Sequence, residues 1–155
     1  MNTGTLELHV IVNKLIEISH DGKQMFGAAS AAVAVDEPLL KTEFMQYSNQ
    51  RADFAEELEN EITRLGEEAA HHGTIAGAMH RGWMNLKQAV SANERHAVLS
   101  ECLRSENSAI ETYRDVLYAD LPSALFNIVQ MQCAAIERVR DRIQLLCEAA
   151  APKDS

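Results

Sequence analysis

Two charged residues stand where a helix core should be apolar: Arg51, within the series Leu40, Phe44, Tyr47, Arg51, Phe54, Leu58, Ile62, Leu65, and Glu106, within Leu99, Leu103, Glu106, Ile110, Tyr113, Leu117. Both series alternate in steps of four and three, the spacing of a buried helical face. An isolated charge in such a place is costly, whereas a hydrogen-bonded pair of opposite charges is tolerated. A third series, Leu125, Val129, Gln132, Ile136, Val139, Ile143, Leu146, carries Gln132 at its centre. A fourth, Leu8, Ile11, Leu15, Ile18, Gly22, Met25, Ala29, has Asp21 at its edge. The four polar positions lie near the middle of their helices, so they should share one layer. The reading is an Arg51 to Glu106 ion pair, with Asp21 and Gln132 satisfying the remaining polar groups.

Carboxylates at mid-bundle also suggest metal chemistry, because helical bundles hold paired iron or manganese ions on such groups. That chemistry calls for about four carboxylates and two histidines, typically as Glu-x-x-His on two helices. Two such strings occur, Glu17 to His20 and Glu68 to His71, in a chain with 23 acidic residues and six histidines. Advancing 100° per residue puts Glu17 and His20 roughly 140° from the centre of their stripe, and Glu68 follows a helix stop at Gly66. Both strings are expected in solvent. A centre displaced by one turn would draw on Glu57, Glu61 or Glu101, with no histidine facing inward beside them. Arg51 is the larger obstacle, since a guanidinium keeps its positive charge and would occupy the layer where a dication sits. The expectation is no cofactor, with iron or manganese as the alternative and Glu17, His20, Glu57 and Glu101 as its candidate ligands.

The elements that position these groups follow from the punctuation of the chain. Helix 1 is predicted over Thr5 to Val33. Asp36 and Pro38 open a second helix that reaches Leu65 and stops at Gly66. A third begins at Ser91 or Asn93 and lasts to about Tyr118; a fourth has Pro122 in its first turn and runs to about Ala149. The tail 150–155 is expected to fray. Between Gly66 and Ser91 lies a connection far longer than the usual link of roughly two to eight residues within a bundle. Thr74 can cap a short helix there, Ile75 to Val90, with Met79, Trp83, Leu86 and Val90 on one side. The predicted fold is therefore all-α: one four-helix domain over residues 1–155, of the ferritin-like plan, with two hairpins joined by a long crossover that carries a short helix.

Composition narrows the function classes. A net charge of −9 without a Lys/Arg cluster disfavours nucleic acid and anionic membrane surfaces. The longest apolar runs are too short for a bilayer span, and the start of the chain has no signal-like block, which reads as cytoplasmic. Cys102, Cys133 and Cys147 have no paired spacing and suit buried thiols. Around the short helix, His71, His72 and His80 are expected in a solvated loop, and Met79 and Trp83 are candidates for an interface. The Ala-rich stretch Ala28 to Val35 is a second candidate. No nucleophile-base set and no phosphate-cradling Gly loop can be argued from spacing.

The strings LIEISHDGKQMF (15–26), QRADFAEEL (50–58), GTIAGAMHRGWMNLK (73–87) and ECLRSENSAIETY (101–113) resemble a bacterial family of ferritin-like four-helix-bundle proteins of unknown function. The resemblance covers most of the chain and implies a ferritin-related fold, a link to stress physiology and no defined activity. Arg140 precedes Asp141 where the resemblance leads one to expect a histidine, which argues against an inherited metal role. Two functional classes remain: a non-enzymatic bundle acting by self-association, a dimer being favoured, or by binding a protein partner; and a metal-binding or redox protein with a mid-bundle dimetal site.

Overall fold

Apolar residues at helical spacing, with glycine and proline confined to the junctions, produce four helices in the computed structural model. It describes residues 3–33, 37–66 and 95–150. They are α1 (Thr3–Ala32), α2 (Pro38–Arg64), α3 (Arg95–Leu117) and α4 (Ser123–Ala150), and no strand occurs among the described residues. The predicted boundaries that fall on described residues hold to within a few residues. Pro38 occupies the first turn of α2, where its missing N–H costs nothing, and Glu37 precedes it without a side-chain cap. Gly66 ends α2 with φ 85°, a left-handed conformation that glycine adopts without a Cβ penalty. Pro122 sits just before α4 rather than inside it, and its carbonyl accepts the N–H of Phe126. Asp36, Glu68, Ser91 and Asn93 lie outside the described residues, as do the short helix Ile75 to Val90 with Met79 and Trp83, the histidines 71, 72 and 80, and the tail 151–155.

The bundle core falls into two apolar halves. One gathers Val12, Leu15 and Ile16 of α1, Leu58 and Ile62 of α2, Ile110 and Tyr113 of α3, and Leu125, Val129 and Ile136 of α4. The other gathers Phe26 and Ala29, Leu40 and Phe44, Leu99 and Cys102, and Val139 and Ile143. The order in which each helix visits the halves gives its direction: α1 and α4 run one way, α2 and α3 the other. Arg95 at the start of α3 reaches Glu37 at the start of α2, which confirms that these two are parallel. Packing is extensive between α1 and α2 and between α3 and α4, lighter between α1 and α3 and between α2 and α4. Thus α2 and α3 face each other along a diagonal.

The α1 stripe is rotated from the predicted one. Val12, Leu15, Ile16, Ser19, Gly22, Phe26 and Ala29 are buried, while Ile11, Ile18 and Met25 are half-buried. Ile11, Val12, Leu15, Ile16 and Ile18 make α1 apolar on two flanks, so periodicity alone does not choose the face; packing against both α2 and α3 does. Within the Ala28 to Val35 stretch, Ala29, Ser30 and Val33 are buried in the core, with Ser30 donating to the Lys41 carbonyl at 3.0 Å, while Ala28 and Ala32 are half-buried and Ala31 is exposed. The three cysteines are free and buried. No described helix is long and apolar enough to cross a membrane.

Candidate functional site

Neither Arg51 nor Glu106 belongs to the apolar halves; they separate them. Arg51 is 2% exposed and Glu106 1%. Arg51 Nη1 and Nη2 donate to Glu106 Oε1 and Oε2, both at 2.6 Å, so the two planes meet in a two-pronged pair across the α2–α3 diagonal. The third donor, Nε, goes to Gln50 Oε1 at 3.2 Å. The guanidinium also lies over the Phe26 ring, 5.2 Å from its centroid, where the negative ring face favours a cation.

Glycine eases the crossing. A Cβ built at Gly22 would meet Arg51 Cγ at 3.2 Å and Nη1 at 3.3 Å, tighter than ordinary contact, so a side chain here would require the arginine to give by a few tenths of an ångström.

Gln132 anchors a second polar thread. Its Oε1 accepts the Tyr113 hydroxyl at 2.7 Å, and its Nε2 donates to Glu57 Oε1 at 2.8 Å and to the Phe54 carbonyl at 3.3 Å. Ser19 Oγ stands 3.4 Å from the Tyr113 oxygen and donates to the Leu15 carbonyl. Among the described residues, every buried side-chain nitrogen and oxygen has a partner.

Asp21 is half-buried and engaged. Gln50 takes the remaining Arg51 nitrogen, and the rotated α1 face turns Ser19 toward the Tyr113 hydroxyl. Ser19 and Tyr113 were missed as polar partners. A mid-helix glycine opposite an arginine was the available signal for the first; Tyr113 had passed for a plain core aromatic.

Three of the four candidate metal ligands, His20, Glu57 and Glu101, are engaged with other side chains. His20 is half-buried rather than solvated, its Nε2 lying 2.8 Å from Glu59 Oε1, because α2 packs against that flank of α1. Glu17 is also half-buried rather than free in solvent. Glu57 is exposed and holds Gln132, and Glu101 pairs with Arg104 one turn along α3. No group of three or more His, Cys, Asp or Glu side chains positioned to hold a metal occurs among the described residues. A dimetal centre needs converging carboxylates and imidazoles, whereas this layer presents a cation matched to one carboxylate. The described residues of this layer therefore do not fit such a centre.

Burial governs the titration of the neighbouring groups. It pushes the Tyr113 phenol well above its ordinary range. Tyr47 rises as well, through burial and then through its hydrogen bond to Glu43. Glu43 itself is held below the usual carboxylate range: burial opposes this, and the hydrogen bonds from Arg142 and Tyr47 outweigh it. The Cys133 thiol is pushed up to about 11 by burial and by Glu137, and burial also raises Cys102, so neither is an activated nucleophile.

A pH prediction follows. A phenol that keeps its proton longer in the folded state than in the unfolded chain stabilises the fold fully below the unfolded value near 10, and that contribution is lost as pH rises from there through the folded value. Stability against urea should therefore fall above pH 10. Tyr113→Phe should flatten the fall, leaving the part due to Tyr47, and should cost about 1–2 kcal/mol at neutral pH through its lost hydrogen bond. Urea midpoints at pH 7 to 11 check this; equal slopes for both proteins would refute it.

Comparison with known proteins adds one finding of kinship. A search of curated proteins gives no match to the chain. A family model described as a domain of unknown function (DUF2383) matches residues 9–119, a span that holds Gly22, Phe26, Arg51, Glu106 and Tyr113 and stops before α4. The chain therefore belongs to the DUF2383 family.

Proposed function

We propose that the chain is a ferritin-type bundle that has given its central layer to an internal ion pair, and that it is a non-enzymatic protein acting through its surface, by self-association or by binding a protein partner. The observation that carries this reading is the two-pronged Arg51–Glu106 pair, buried and satisfied, in the layer where a bundle of this kind would assemble its chemistry. A permanent cation there repels a dication, and burial holds the Cys102 and Cys133 thiols in their unreactive protonated form. The ferritin-type plan is supported by the parallel diagonal pair α2 and α3.

Metal analysis tests it against the alternative of a mid-bundle iron or manganese site. Protein from cultures supplemented with each metal should carry far less than one equivalent, and its melting temperature should ignore added iron, manganese and zinc. Stoichiometric metal with a matching rise in melting temperature would overturn the proposal.

A further inference from the structure

The outward side of α4 has the features of a contact surface. Met131 and Leu145 are 73% and 63% exposed, and Arg138 stands between them at the same seven-residue spacing, so the three lie on one line along the helix. Ala134 and Ala149 are exposed on the same side. Among the described residues, every arginine except Arg138 has a carboxylate partner. Asp141, 68% exposed, is held only by the adjacent Arg140, a surface contact of little worth, while Arg140 also has Asn107.

We propose that this face is the interface between two copies of the chain, with the two α4 helices antiparallel about a two-fold axis that passes between Val139 and Arg140. Charge and size complementarity together select this occupant. In a two-fold contact the same patch meets itself in reverse order. That order sets Arg138 opposite Asp141 of the partner subunit and, by symmetry, Asp141 opposite Arg138 of the partner subunit. It also sets Leu145 over Ala134 of the partner subunit, and Met131 beside Ala149 of the partner subunit, a large side chain over a small one each time. The parallel arrangement would instead place Arg138 against its own copy, where like charges repel. This inference rests on the self-association arm of the proposed function and names its surface.

Sedimentation equilibrium at about 0.15 M salt, where repulsion between two acidic molecules is screened, tests it. The wild type should dimerise. Met131→Lys with Leu145→Lys should be monomeric, with helical content and melting temperature measured on the monomer unchanged. Arg138→Asp alone and Asp141→Arg alone should each weaken the dimer about tenfold or more, since each sets like charges together. The double variant Arg138→Asp/Asp141→Arg should restore it, which loss of fold cannot mimic. A wild type that stays monomeric would overturn both this inference and the self-association reading. A dimer that survives the α4 variants but is lost in Trp83→Ala would overturn the α4 face while leaving self-association intact. A change in the emission of Trp83, the one tryptophan of the chain, on Met131→Lys without change of mass would show that residues 67–94 cover the face instead and would equally overturn the proposal.

Discussion

Glu106→Leu should lower the stability of the bundle by about 3–5 kcal/mol, because it leaves the Arg51 guanidinium buried without a counter-charge. The size of the loss comes from the orphaned cation. Arg51 is almost wholly enclosed, its stem is confined beneath Gly22, and its two terminal nitrogens point at the vacated carboxylate. Only the Gln50 contact and the Phe26 ring would remain. Arg51→Met with Glu106→Leu should recover most or all of that stability, since apolar side chains of similar bulk often replace a buried pair without loss. What the double variant should lose is alignment. In the native chain the two prongs fix α2 against α3 to within a hydrogen bond, and two apolar side chains accept several offsets. Urea unfolding gives the energies, and the amide-proton spectrum reports whether one arrangement survives. A double variant of wild-type stability with a single, sharp native spectrum would sink the idea that the pair specifies register.

The pair was legible because the four-and-three series of α2 and α3 are otherwise apolar or aromatic, so one charge in each announced itself, and equal depth along helices of similar length brought the two together. Its form was not. That the pair crosses a diagonal and closes with two prongs depends on the relative rotation of α2 and α3, which no single helix pattern contains. Gln132 was found by the same rule, but its partners were not: Tyr113 has an apolar body that passes for plain core, and Ser19 lies off the stripe expected for α1. The α1 error had a physical source in its excess of apolar residues, which leaves several faces nearly equal until neighbours choose one. His20 shows the converse limit, because a position on the flank of a helix becomes half-buried or free according to where the next helix lies, and Glu59 lies there. The four long helices, the Pro38 start and Gly66 stop of α2 and the buried thiols needed only local rules.

Phe26 should prove as costly to remove as Glu106, for a different reason. Its ring is fully buried, packs 5.3 Å from Tyr47 and 6.0 Å from Phe44 centre to centre, and supports the Arg51 guanidinium from below. Phe26→Ala should cost about 3–5 kcal/mol, the usual range for emptying an aromatic site in a packed core. Phe26→Leu separates the two contributions, because it keeps most of the apolar volume and removes the ring face; its cost should stay below about 1.5 kcal/mol for packing, plus about 0.5–2 kcal/mol for the lost cation contact. The second part exists only while Arg51 is present. In the Arg51→Met/Glu106→Leu background Phe26→Leu should therefore cost less than in the wild type, and the difference, read from four urea midpoints, measures how strongly the central pair is coupled to the apolar half that begins at Phe26. Equal costs in the two backgrounds would mean that the ring contributes by bulk alone. Coupling of the expected size would make the ion pair a joint between the two halves of the core, so that a change at the centre is felt along the whole length of the bundle.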